Sequence, residues 1–183
     1  MPLVVIDSKH EIELGPRFLI AKTYEQFKQK LRDKYHDGVI WRPTADEIDD
    51  PWIINDVLRQ VYNKKNTRLW IDELMGLVRG PASYPPYLKA LYTQGRSRRC
   101  GILSCTQRPS GIPLFALTES DVFIKFMLRM EQDQKRMATM MGNQVIEPKT
   151  YPAESVHNHE HSFFLLRSGD REPREYLLDI GEK

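Results

Sequence analysis

Residues Leu3 to Asp7 read LVVID, four apolar residues in unbroken succession before an aspartate. A strand wetted on one side alternates apolar and polar residues. A short continuous apolar run fits a strand covered on both faces, as in a parallel sheet. Further strand candidates follow in VIWRP (39–43), RLWID (68–72), GILSCTQ (101–107) and DVFIKFML (121–128). Between these runs the spacing changes to that of helices. Thr23 is an N-cap for a stripe of Tyr24, Phe27, Leu31 and Tyr35, with Gly38 as the stop. Asp50-Pro51 opens a second helix with Ile53, Val57, Leu58 and Val61 inward. A loop rich in Gly, Pro and Ser (80–86) leads to a third helix with Leu88, Leu91 and Tyr92 apolar, and 133–141 forms a fourth, closed by Gly142. HSFFLLR and REYLLDI read as a final hairpin. Strand alternating with helix predicts right-handed crossovers and an α/β fold, a mostly parallel sheet with helices on both faces.

Length and composition narrow this further. At 183 residues the chain is long enough for one domain with a sizeable core. With 40% apolar and 28% charged residues it reads as an ordinary globular chain rather than a disordered one. The formal charge of +2 is too small to establish a nucleic-acid partner by itself. No apolar run approaches the roughly 18 residues a membrane span needs, and MPLVVIDSKHE lacks the length and basic leader of a signal peptide. Cys100 and Cys105 lack CxxC spacing and read as two reduced thiols.

RLWIDELMGLV places Asp72 and Glu73 at the end of an apolar strand. Hydrolysis of a nucleotide triphosphate needs one carboxylate near Mg²⁺ and a second group to orient or deprotonate the attacking water. Adjacent carboxylates at a strand end point in different directions and can divide those tasks. The end of the strand is also where open α/β sheets bind ligands. The same letters equally describe a capping aspartate and a solvated glutamate. Thirty-four residues after Glu73, GILSCTQRPSGIP ends a second apolar strand in Thr106 and Gln107. If the two strands are neighbours, Gln107 arrives beside the carboxylates, where an amide can bond both a phosphate oxygen and the water. The helix before that strand ends in GRSRR (95–99). Cations at a helix C-terminus are favourable in their own right; an arginine there can also stabilise transition-state charge on a neighbouring subunit's nucleotide.

In order, VVIDSKHE, LWIDEL, GRSRRCGILSCTQRPSGIP and DVFIKFML followed by DQKRMATMMG resemble the FtsK/HerA superfamily of DNA-translocating ATPases, which includes phage and virus packaging and conjugation motors. The likeness runs from about Val4 to Gly142, and TQRPSGIP is its most specific element. It implies a RecA-like P-loop NTPase core with ATP and Mg²⁺ as cofactors. Asp72 then corresponds to the metal-holding and Glu73 to the catalytic-base residue of the Walker B motif. Gln107 corresponds to the sensor glutamine and Arg96 to the arginine finger, with Arg98 and Arg99 as further candidates to contact nucleotide. Asp7 and Lys9 fall on the family's Asp-x-Lys turn. The resemblance further implies double-stranded DNA as partner, a homo-oligomeric ring, a hexamer, and a place in the cytoplasm of a bacterial or phage-infected cell or in association with the virion.

One element departs from the family. A phosphate loop has the form GxxxxGK[ST], and none of this chain's ten glycines precedes a lysine. The family places that loop just before the strand that here begins at residue 3. The expectation is therefore a single RecA-like domain over 1–183, truncated at its N-terminus, with little ATPase activity of its own. The alternative is a scaffold or DNA-binding ring subunit that has lost hydrolysis. A small-molecule kinase would leave TQRP unexplained and would need a lid that the sequence does not offer. His157, His159 and His161 alternate as zinc ligands on a strand can, but the run is polar and without a cysteine, which favours a solvated edge. Trp41, Trp52 and Trp70 sit in apolar patterns that favour the core. Tyr84 and Tyr87, after the DE strand, are placed where a channel loop could meet DNA.

Overall fold

The structure, a computed structural model, describes residues 1–33, 36–146 and 162–177. The chain divides into two units, Met1–Gln107 with Gly111–Ala116, and Arg108–Ser110 with Leu117–Lys183.

The first unit is a five-stranded sheet. Its strands are β1 (Leu3–Ile6), β2 (Phe18–Ala21), β3 (Gly38–Trp41), β4 (Arg68–Ile71) and β5 (Gly101–Ser104), in the order β2-β3-β1-β4-β5 and all parallel. The continuous apolar runs have the expected consequence: Val4, Val5, Ile6, Val39, Ile40 and Trp41 are all but inaccessible to solvent. Helices α1 (Tyr24–Arg32), α2 (Ala45–Asp49), α3 (Pro51–Lys64) and α4 (Pro86–Arg98) make the connections. Thr23 caps α1 through the amide of Gln26, and Asp50 caps α3 through the amides of Trp52 and Ile53 with Pro51 in the first turn. Phe27 of α1 packs on Trp41 with ring centroids 5.8 Å apart. Helices α3 and α4 lie against each other, the Tyr62 hydroxyl donating to Gln94 at 2.7 Å and the rings of Tyr62 and Tyr87 5.7 Å apart. Buried Asp56 accepts from the Tyr24 hydroxyl (2.6 Å) and Gln60 (2.6 Å) and pairs with Arg59. These bonds outweigh its burial and hold the carboxyl below its ordinary range, while burial and the facing carboxylate raise the Tyr24 phenol.

Three sequence expectations shift. Helix α1 ends at Arg32, and Gly38 opens β3 instead of closing the helix. It is glycine for a steric reason, since a Cβ there would lie 2.0 Å from the Leu3 carbonyl oxygen and 2.9 Å from the Phe18 ring. Tyr35 falls outside the described residues. Along α3 the inward face carries Ile54 at 2% exposure, with Ile53 only half-buried. Trp52, expected in the core, is 65% exposed, its ring edge-on to Tyr24.

The short helix α5 (Leu114–Thr118) follows the 101–113 segment. The second unit holds an antiparallel sheet of β6 (Val122–Lys125), β7 (Ser162–Arg167) and β8 (Arg174–Leu177), in that order, together with helix α6 (Glu131–Met141). The expected C-terminal hairpin is β7–β8, described as far as Leu177. Gly142, at φ 94°, closes α6 as predicted.

Candidate active site at the carboxyl edge of the parallel sheet

Three strands, β1, β4 and β5, end at one edge, and Asp7, the Asp72–Glu73 pair and the Cys105–Gln107 stretch follow them there. The first is fixed by Asp7, fully buried just past β1. Its carboxylate accepts from the amides of Glu11 and Ile12, both at 3.1 Å, and from Arg42 Nε at 2.9 Å. Arg42 in turn donates to the Ile12 carbonyl at 2.8 Å. The charge is buried yet matched by a guanidinium and two amides, the condition under which a buried carboxylate is tolerated. The turn 7–12 is thereby held in one shape, with Lys9 at its exposed tip.

Strands β4 and β5 are neighbours in register, Ile71 opposite Ser104. The pairing continues past both strand ends, with Cys105 N donating to Ile71 O at 3.0 Å and Leu74 N to Cys105 O at 2.8 Å. Asp72 and Glu73 thus leave β4 alongside Cys105, the residue that follows β5, and β4 and β5 are the neighbours that the sequence reading supposed. The Asp72 amide also bonds the Ile6 carbonyl of β1 at 3.1 Å. Asp72 and Glu73 are half-buried and Gln107 is exposed. The Glu73 carboxylate accepts from the Met75 amide at 3.2 Å and caps the short 3₁₀ turn Leu74–Leu77. The capping residue is thus Glu73, where the sequence offered Asp72 for that part.

The thiol of Cys105 reports on this neighbourhood. The residue as a whole is exposed, but packing around the sulfur raises its pKa. The carboxylates of Asp72 and Glu73 raise it further, and Lys9 pulls it down. Lys9, Asp72 and Glu73 are accordingly each within electrostatic reach of the Cys105 sulfur. Cys105 is expected to alkylate slowly with iodoacetamide at pH 8. Glu73→Gln should speed the reaction, because losing the neighbouring negative charge lowers the thiol pKa and raises the thiolate fraction. Mass spectrometry of the adduct reads the rate, and an unchanged rate would separate Glu73 from the sulfur.

Arg96, Arg98 and Arg99 are not brought to this edge. They end α4 and precede β5, so they lie at the amino edge of the sheet, a strand length of roughly 13 Å away from the carboxylates. Arg98 lies over the Tyr62 ring at 4.1 Å, and Arg99 closes the helix in a left-handed conformation, φ 55°. The Asp72–Glu73 pair of the same chain is out of their reach. Tyr84 and Tyr87, both half-buried, have their rings against Phe115 at 4.9 Å and Tyr62 at 5.7 Å.

One buried carboxylate, within the second unit, escaped the sequence reading. In the second unit Asp133, 1% exposed, accepts from Arg108 Nε at 3.0 Å and from the Ser110 amide at 2.9 Å. Burial opposes its charge, but the Ser110 and Arg108 bonds prevail and hold its carboxyl below the ordinary range. It clasps the residues that directly follow Gln107. Its only sequence signal was an acidic residue in the first turn of a helix, which is commonplace. The three histidines of HNHEH lie outside the described residues. Among the described residues no group of three or more His, Cys, Asp or Glu side chains is placed to hold a metal ion. No described helix is long and apolar enough to cross a membrane.

The parallel sheet of the first unit, with carboxylates at its strand ends, and the antiparallel sheet of the second make an α/β fold. Solved structures share this fold. The genome packaging NTPase B204 of Sulfolobus turreted icosahedral virus 2, in complex with sulfate, superposes with a TM-score of 0.68 at 15% identity over all of this chain and 84% of that one. Its complex with ATP-gammaS gives 0.62 at 14% identity over 96% of each chain. In sequence, the chain is 29% identical over 105 residues to the DNA packaging ATPase P9 of Enterobacteria phage PRD1. That alignment takes in 57% of this chain and 44% of the relative, so the chain spans less than half the relative's length. No family model matches. The resemblance to packaging ATPases drawn from the sequence motifs holds in both the sequence and the structure comparison.

Proposed function

We propose that this chain is the Walker B portion of an ATP-driven DNA-packaging motor subunit. The observation that carries the reading is the pairing of β4 with β5, which sets Asp72 and Glu73 beside the strand that ends in Thr106 and Gln107. Likeness to a phage DNA packaging ATPase, and to a packaging NTPase solved with ATP-gammaS and AMPPCP, supports it.

Two adjacent, half-buried carboxylates offer the hard oxygen donors that Mg²⁺ takes, and both stand at the strand edge where a nucleotide would lie. Asp72 is the residue to hold the ion, through water. Bound there, Mg²⁺ would neutralise phosphate charge. Glu73 takes the proton of the attacking water. Gln107 orients that water and reads the γ-phosphate. Lys9, on the turn fixed by Asp7, adds positive charge to the same edge. Arg96, with Arg98 and Arg99 beside it, lies at the other edge and serves a neighbouring copy's nucleotide, which requires a closed ring, a hexamer in this reading. Double-stranded DNA is the substrate moved, in the infected cell or at the virion.

The phosphate loop is absent from these 183 residues, and backbone amides around the phosphates are not supplied by any other stretch of GxxxxGK[ST] form. The same fact favours a second reading, a ring or scaffold subunit without hydrolysis. One experiment separates them. The chain alone is expected to show background ATP turnover, and the chain joined in cis to a strand–GxxxxGK[ST]–helix segment to turn over ATP. Turnover by the chain alone at the rate of the joined protein would overturn the assignment. A joined protein that binds ATP without hydrolysing it would favour the scaffold.

A further inference from the structure

Charge is distributed unevenly along this chain. Residues 57–118 hold ten lysines and arginines against two carboxylates, Asp72 and Glu73, in a chain whose overall charge is only +2. The fold sorts this excess by edge. Both carboxylates go to the carboxyl edge, and six of the cations, Lys64, Lys65, Arg68, Arg96, Arg98 and Arg99, go to the amino edge. There the C-terminus of α3, the start of β4 and the C-terminus of α4 meet, tied by the Asn66 amide to the Arg98 carbonyl at 3.0 Å. Five of the six are exposed, Arg98 being half-covered over Tyr62. The carboxylates at the same edge, Asp33 and Asp37, lie near β3, on the far side of β1, and Asp37 is already paired with Arg17 at 2.9 Å.

We infer that this amino-edge rim is a binding surface for the phosphate backbone of double-stranded DNA. The inference rests on the motor reading for DNA as a partner; Arg96, Arg98 and Arg99 are shared with that reading's finger candidates, whereas Lys64, Lys65 and Arg68 have no part in it and carry the test. Compensation of two helix dipoles explains one or two cations in the last turns, not six, and Arg68 belongs to no helix. The backbone gives an independent sign. Lys65 and Arg99 terminate their helices at φ 56° and 55°, and Asn66 follows at 43°, conformations that glycine adopts without strain. Long basic side chains are thus kept at two positions where the backbone favours glycine, and such outliers concentrate at functional sites. The rim also specifies which nucleic acid. Among the described residues of the rim the aromatic ring is that of Tyr62, which is buried beneath Arg98 and so is not open for unpaired bases to stack on. Exposed Asn63, Asn66 and Ser97 add neutral hydrogen-bonding groups, which position a backbone and carry no sequence information.

The test measures binding of a fluorescent random-sequence duplex to the chain by anisotropy between 50 and 300 mM salt, without nucleotide. Lys65→Gln/Arg68→Gln removes two exposed cations outside any assigned finger. Each lost phosphate contact lowers the slope of log K against log salt by about 0.9, which is roughly eightfold in affinity at 0.1 M, so the double variant should bind tens of times more weakly with a slope shallower by about 1.8. Lys22→Gln/Lys135→Gln removes the same charge elsewhere and should change little beyond the effect of net charge. Circular dichroism and the thermal midpoint establish that each variant folds. Equal losses in the two double variants, or no duplex binding by the parent chain, would overturn the inference. A nucleotide arm distinguishes the other source of phosphate: a loss confined to binding of a fluorescent ATP analogue, with duplex binding intact, would overturn it as well. ATP turnover by the loop-joined protein is a separate measurement, so the motor reading stands or falls apart from this one.

Discussion

Replacing Asp7 by alanine is expected to destabilise the first unit by about 3–5 kcal/mol, the usual cost of breaking a buried charge pair from one side. The carboxylate is inaccessible to solvent and satisfies two amides as well as Arg42, whose side chain is itself only 18% exposed. Alanine leaves the guanidinium with the Ile12 carbonyl alone and leaves the Glu11 and Ile12 amides unpaired, and each loss carries its own desolvation cost. Asparagine retains one oxygen for the amides but turns an NH₂ toward donors, so Asp7→Asn should lie between alanine and the parent. Urea denaturation followed by tryptophan fluorescence gives the comparison, with a lower midpoint at an unchanged slope. A loss below about 1 kcal/mol would show that the turn 7–12 holds without its carboxylate. Because Lys9 stands at the tip of that turn, the same variant should also loosen the positive charge that acts on the Cys105 thiol.

Glu73→Gln is the second large effect. In the loop-joined protein it should retain ATP binding while turnover falls by about 10²–10⁴-fold, the range that a positioned general base contributes. The change is close to isosteric, and the amide oxygen can still accept from the Met75 amide, so the 3₁₀ turn after β4 keeps its cap. What disappears is basicity alone. A nucleotide titration and a steady-state rate on the same preparation separate the two properties. Unchanged turnover would remove Glu73 from the base role and leave it as the cap it visibly is.

How much of this could be read from the letters depends on how far apart the interacting residues lie. Strands β1, β3 and β4 announced themselves because central strands of a parallel sheet are apolar on both faces, and Thr23 and Asp50 marked their helices because caps are local. Strand β2 did not, since FLIA is a four-residue edge strand, only partly covered, and follows Gly15-Pro16, which suggests a loop. Gly38 was noticed for the wrong reason. As a helix stop it needed only its neighbours, whereas the carbonyl of Leu3 that excludes a Cβ lies 35 residues away. The polar residues divide the same way. Asp72 and Glu73 could be set just past a strand from the sequence, and Thr106 and Gln107 beyond another, because a strand end is a local pattern repeated twice. Asp133, which holds Arg108 and Ser110 across more than 20 residues, has no such local pattern. The separation of the arginines from the carboxylates emerged only once strand directions were known.

The left-handed helix ends have a consequence for how this chain tolerates change. Glycine at 65 or 99 would relieve a conformation that costs an L-residue on the order of 1–2 kcal/mol. The chain would gain thermal robustness by substitutions that touch no core residue. It would also shed a cation from the amino edge each time. Variants selected for heat resistance alone would therefore drift toward an uncharged rim, and variants selected for holding a polyanion would drift back. Residues 65 and 99 are where those two pressures oppose each other most directly.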